Sequence, residues 1–339
     1  MLLPVGRLVR GATATSAGIG LAVLTCAAAH AVPAYTVSFD DPDRLYSAYY
    51  QAITSNVQAA GTEWANALGA RGDVGINVQV GFGGNPTASG SSLASHRVGQ
   101  DSGLGVVLYE QGAAAKLNGA VPNGPGPDVR ITIGETYLSS ELWFDPAPAV
   151  RDAAVPASKT DAYSILLHEF GHVYAFNGWR DTEGALPGAY ASTFDRWVVQ
   201  RGDDLFFEGP QAVLAYGGPV PLTRDDYRHL GNAAGLPGAD LAADLMNGVR
   251  FQRGTRYTIS ALDLAIAADA GLGDFDALDG GSAPYPAVAS VGAVGAGADA
   301  VAAIPEAPSL VLLWAGLCLA VLLHRVHRRS PGLVPSAAR

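Results

Sequence analysis

Leu45, Tyr49, Ala52, Ile53, Val57, Ala60, Trp64 and Leu68 recur at three- and four-residue steps. That spacing gathers apolar side chains on one face and predicts a helix over residues 43–68. The period then drops to two. Gly75-Ile76-Asn77-Val78-Gln79-Val80-Gly81-Phe82 alternates as a strand does. A Gly/Ser-rich stretch, 83–90, predicts a loop, with His96 just beyond it. Residues 106–109 and 129–133 are β-branched runs that predict further strands, separated by a Pro/Gly-rich segment at 122–127. Ile165, Leu166, Leu167, Val173 and Ala175 then predict a helix over about 160–177, with Ser158 or Thr160 as its cap. Helix, strands, helix is the order of an α+β fold, a mixed twisted sheet with helices packed against it.

Periodicity is weak from Trp179 to about residue 223. That segment predicts one helix or strand pair around 194–199 and a strand near 212–216. Residues 259–272 are helical in pattern, with Ser260 and Asp263 placed as a capping box. Ala, Gly, Val and Ser dominate 277–303, a composition that predicts a flexible linker. Residues 32–276 therefore form the folded part, with an N-terminal subdomain to about 178 and a C-terminal one over 179–276.

The chain ends carry addresses. Arg7 and Arg10, the apolar run after Ala17 and the A-x-A site Ala29-His30-Ala31 predict a signal peptide over 1–31. Thr25 is a poor residue before a lipidated cysteine, which disfavours lipidation at Cys26. At the other end, Ile304-Pro305-Glu306-Ala307-Pro308 precedes an apolar run from Leu310 to Leu323 and the basic cluster Arg325, His327, Arg328 and Arg329. This order over 304–339 resembles the PEP-CTERM sorting signal of Gram-negative bacteria, with Ala307 in place of a proline. The resemblance implies processing by an exosortase after transient membrane anchoring, and an exported chain in the cell envelope or outside it. A plain C-terminal membrane anchor is the alternative. Cys26 and Cys318 both fall in these end segments, so the processed chain would have no disulfide and no thiolate to offer a metal. Removing the ends takes away six of 21 basic residues and one of 31 acidic ones, moving the net charge from −10 to −15. That balance argues against a nucleic-acid partner.

Chemistry concentrates in His168-Glu169-Phe170-Gly171-His172. Residues four apart share a helix face, so His168 and His172 can each direct a ring nitrogen at one metal ion. Glu169 is then placed to take a proton from a water on that metal, the arrangement of an H-E-x-x-H zinc peptidase. A catalytic zinc needs a third protein ligand. Ala175 and Gly178 stand where a metzincin would carry a glycine and a histidine, so the short-range ligand is missing. His229 is the downstream candidate. Glu208 is a rival, but Gly209-Pro210 directly after it argues against the helix such a ligand needs. Asp181 and Glu183 lack a glycine turn to fold them back, Asp195 remains open, and His96 suits a surface histidine.

Asp244-Leu245-Met246-Asn247-Gly248 follows His229 and looks like the Met-turn of metzincins. The H-E-x-x-H helix, a distant His229, this turn and the final helix together resemble leishmanolysin-like metzincins over about residues 161–272. Exported bacterial proteins that combine H-E-x-G-H, the D-L-M-N-G turn and a PEP-CTERM tail are a closer match. The resemblance implies a metzincin-like fold and an endopeptidase acting on protein or peptide substrates. One Zn2+ would be held by His168, His172 and His229, Glu169 would be the base and Met246 would support the metal site from below. Gly248 stands where some metzincins place an extra tyrosine ligand, so none is expected. A surface or matrix protein that keeps the fold for binding alone is the competing expectation.

Overall fold

The computed structural model describes residues 33–70 and 74–273. The expected signal peptide, the linker and the sorting tail lie outside the described residues. No helix among the described residues is long and apolar enough to cross a membrane.

The chain begins with β1 (Ala34–Asp40), a strand the hydropathy pattern did not announce. Asp41 then accepts the Leu45 and Tyr46 N–H groups at 3.0 and 2.9 Å, holding a turn ahead of α1 (Tyr50–Ala67). The first helix therefore starts later than residue 43, and Leu45 is left exposed. Next come β2 (Gly75–Gly83), β3 (Ala88–Ser92), β4 (Ser95–Asp101), β5 (Val106–Gln111), α2 (Gly112–Leu117) and β6 (Val129–Gly134). A short pair, β7 (Leu142–Trp143) and β8 (Thr160–Asp161), leads into α3 (Ala162–Tyr174). Beyond it lie β9 (Tyr190–Ser192), β10 (Val198–Arg201), β11 (Asp204–Phe207), α4 (Pro210–Tyr216), β12 (Val220–Pro221) and α5 (Ala261–Asp269).

The architecture is α+β. The main sheet has the order β1-β2-β6-β3, with β1, β2 and β6 parallel and β3 antiparallel at one edge. Two small sheets, β4-β5-β9 and β10-β11-β12, complete it. α1 packs on β1, α3 packs on β3, and the two helices touch, so both cover one face of the main sheet. The Trp64 indole N–H donates to the Leu167 carbonyl at 2.8 Å, which satisfies both groups inside this apolar layer.

Three elements differ from expectation, each for a tertiary reason. Residues 83–90 were expected as a loop, yet Ala88–Ser92 pair with β6 along their whole length. Small residues are required there, because a Cβ on Gly90 would lie 2.6 Å from the Glu169 carbonyl oxygen. Residues 212–216 form a helix, not a strand. Pro210 presets its first turn, and the Asp269 carboxylate accepts the Gln211 and Ala212 N–H groups at 3.1 and 2.9 Å. The cap of α3 is Asp161, not Ser158 or Thr160. Its Oδ2 accepts the Ser164 N–H and hydroxyl, with the Arg151 and Arg256 guanidinium groups each 3.8 Å away. The capping box of Ser260 and Asp263 on α5 forms as expected.

Asp161→Ala should lower the unfolding free energy by about 1–3 kcal/mol, since it removes the cap and leaves two guanidinium groups short of a partner. Denaturant titration of the metal-free chain measures this. A change of a few tenths of a kcal/mol would refute the capping role.

Candidate metal centre

α3 is buried on all sides, including His168, Glu169 and His172. Four-residue spacing puts both imidazoles on one face, with ring centroids 4.7 Å apart. His229 arrives from the far side of the C-terminal region, also fully buried. The three Nε2 atoms lie 3.0 Å from one another.

The partners of the opposite ring nitrogens decide what those Nε2 atoms are. His168 Nδ1 lies 2.8 Å from the Leu245 carbonyl oxygen, and His172 Nδ1 lies 2.7 Å from that of Phe176. A carbonyl can only accept, so both rings carry their proton on Nδ1. His229 Nδ1 faces the Asp226 carboxylate at 3.0 Å, with the same consequence. Three Nε2 lone pairs therefore converge among buried side chains. Neutral imidazoles so arranged repel one another, whereas a cation among them would turn repulsion into ligation. Their spacing is a few tenths of an ångström under the roughly 3.3 Å edge of a tetrahedron with metal–nitrogen bonds of about 2.0–2.1 Å. His168, His172 and His229 could hold a metal ion, and they are the group among the described residues able to do so.

His229 and Met246 belong to one backbone unit. The chain turns through Thr223 to His229, with Thr223 N–H donating to the His229 carbonyl at 2.9 Å. Leu230 N–H donates to the Met246 carbonyl at 2.8 Å, and Gly248 N–H returns to Leu230 at 3.2 Å. Leu245, in the same turn, supplies the carbonyl that orients His168. One short ladder thus fixes the third histidine and the orientation of the first. Gly248 lies against the His229 Cβ and Thr223, where a side chain has no room.

Met246 is fully buried, and its sulfur occupies the space that a Cβ on Gly171 would take. That contact explains the glycine inside the H-E-x-x-H run: it lets the turn that carries Met246 press against α3 between its two histidines. Phe251 closes the near side of His168, edge-on at 5.2 Å.

The rivals for third ligand are engaged elsewhere. Glu208 pairs with Arg201 at 2.5 Å, and His96 with Glu110 at 2.8 Å. The Asp195 Oδ2 accepts the Trp179 and Ser192 N–H groups at 2.9 and 3.0 Å, and burial pushes its carboxyl above the usual range. Asp181 accepts the Glu183 and Ala185 N–H groups within its own turn. Asp226 and the two carbonyls of Leu245 and Phe176 were not singled out from sequence, and Gly171 was read only as part of the H-E-x-G-H motif. Asp226, three residues before His229, carried a readable signal; the carbonyls carried none.

Comparison with known protein families, with curated proteins and with solved structures found no match.

Gly171→Ala should destabilise the chain by about 1–3 kcal/mol through overlap with Met246. The same substitution should cost clearly less in a Met246→Ala background, because the overlap is gone. A double-mutant cycle on thermal or denaturant unfolding reads this coupling, and additive effects would show that the two residues do not press on each other.

Proposed function

We propose that the chain is an exported zinc-dependent endopeptidase of metzincin type. The observation that carries the proposal is the convergence of three buried imidazole lone pairs directly beside Glu169. Zinc suits an all-imidazole set that leaves one position open for water. Several features support the metzincin assignment: the third histidine returning from far downstream, the buried methionine under α3, and the final helix. The leader and tail motifs support delivery to the Gram-negative cell envelope, with an exosortase-type enzyme processing the C-terminal segment.

His168, His172 and His229 would hold the ion, and Leu245, Phe176 and Asp226 hold the histidines. Zinc bound there would lower the pKa of a water to roughly 7 and polarise a scissile carbonyl. Glu169 is the general base: it takes the proton of the attacking water and delivers it to the leaving amine nitrogen. Its place on α3, one residue past His168 and walled in by β3, keeps the carboxylate out of bulk solvent.

β3 supports a peptide as substrate. It is the edge strand of the main sheet, and it crosses α3 at Glu169. An extended peptide adding to that edge would bond through its backbone, and its scissile bond would run past the three histidines. Binding of this kind accepts the middle of a chain, which suits an endopeptidase.

Glu169→Gln should reduce casein cleavage by about 10²–10⁴-fold while zinc content stays at one ion per chain. Chelation should abolish cleavage by the wild type, and added zinc should restore it. Undiminished cleavage by the glutamine variant would overturn the base assignment. Cleavage that survives chelation would overturn the metal.

A further inference from the structure

We infer that Tyr109, Trp179 and Tyr190 form a specificity subsite beside the metal centre, which takes an aromatic side chain of the peptide substrate. The inference rests on the endopeptidase reading and names what such an enzyme would select. Asp195 is the buried carboxylate that the metal centre leaves unused. Its Oδ2 accepts the Trp179 N–H at 2.9 Å, and the Ser192 N–H and hydroxyl at 3.0 and 2.8 Å. One buried oxygen thus joins the segment after α3 to the end of β9. It sets Trp179 down on the β4-β5-β9 sheet.

There the indole meets two tyrosines. The register of β5 and β9 pairs Val107 with Tyr190 and Tyr109 with Ser192, so both phenol rings rise from one face of the sheet. The Trp179 ring lies 5.8 Å from that of Tyr109, tilted by 39°, and 6.0 Å from that of Tyr190, near edge-on at 72°. Tilted and edge-on rings attract one another without covering each other's faces, which leaves those faces to a further ring. Tyr190 is 37% exposed, and the other two rings are half-buried. Tyrosine and tryptophan held in this way offer a large contact at a small entropic cost.

The segment that carries Trp179 is tied on both sides. Arg180 donates to the Gly184 carbonyl at 2.7 Å, and to the Asp195 and Val198 carbonyls at 3.3 and 3.2 Å. The Tyr227 hydroxyl donates to the Thr182 carbonyl at 2.9 Å, which fastens the segment to the turn that carries His229. Gly178 lies against the same turn. A Cβ there would meet the Arg228 Cγ at 3.5 Å, one residue from His229. An extended peptide advances about 3.3–3.6 Å per residue, so a chain with its scissile bond at the three histidines reaches the rings within a few residues. A polysaccharide could also lie on such rings. The peptide is favoured because the three rings and the third histidine share one turn.

Quenched-fluorescence peptides, each with a single phenylalanine moved through an otherwise alanine-rich sequence, test this on the zinc-loaded full-length chain. At one position the phenylalanine should raise kcat/KM about 10–100-fold over the peptide without it. Trp179→Ala should bring that ratio below about threefold while zinc content stays at one ion per chain, and Trp179→Phe should keep most of it. An unchanged ratio in Trp179→Ala would overturn the subsite, as would a wild type indifferent to phenylalanine at every position. Should Trp179→Ala not fold, Tyr190→Ala, which removes a ring already at the surface, is held to the same criteria. A wild type that cuts none of the peptides overturns the endopeptidase reading instead. Binding then judges the subsite: the Trp179 indole N–H resonance should shift with a phenylalanine peptide and not with the alanine one. Equal shifts, or a shift with a soluble oligosaccharide alone, would overturn it.

Discussion

Three buried imidazole lone pairs turned toward one another are the constraint on which the rest of this structure depends. Left to themselves the rings would rotate away or switch tautomer. Each is prevented by an acceptor on its far nitrogen: two backbone carbonyls and one carboxylate. Those acceptors come from three places, the end of α3, the Met-turn and the turn before His229. The centre is therefore only as well formed as the docking of these segments on one another. Trp64, bonded to the carbonyl just before His168, ties α3 to α1 and through it to the main sheet.

The docking is close because side chains have been removed from it. Gly90 lets β3 lie on the Glu169 backbone, and Gly171 lets the Met246 sulfur reach α3. At both points the helix that carries the histidines is approached by a neighbour with nothing between. Elements packed backbone to neighbour have few alternative arrangements, and the rigidity of close-packed interiors does the rest. Glu169 is walled in by the same close approach, since β3 lies directly on it at the edge of the main sheet.

Local patterns made much of this legible in the sequence. The period of α1 and α3, the alternation of β2 and the Ser260–Asp263 capping box need only neighbours a few residues apart, and all appear in the structure. His229 was reachable as well, because the Met-turn so soon after it supplied a second signal. What escaped was set by distant partners. β3 shows no apolar alternation, because its composition answers to Glu169 and not to a hydrophobic face. α4 reads as a strand on its β-tolerant apolar run, yet its first turn is capped by Asp269 from 57 and 58 residues away. The cap of α3 was placed too early because Asp161, paired with β7 through β8, was not distinguishable from the serine and threonine before it.

The return of His229 to α3 has a meaning for a chain with no cysteine in its folded part. His172 and His229 are 57 residues apart in sequence, and an ion gripped by both closes that stretch into a loop. In chain-entropy terms such a closure is comparable to a disulfide, about 4 kcal/mol for a loop of this length. The bond it replaces would depend on the redox state of the surroundings; this one depends on pH and on free metal instead. An ion could be gripped by all three imidazoles only where the chain is folded back from α3 to His229, so metal binding and this fold would support each other.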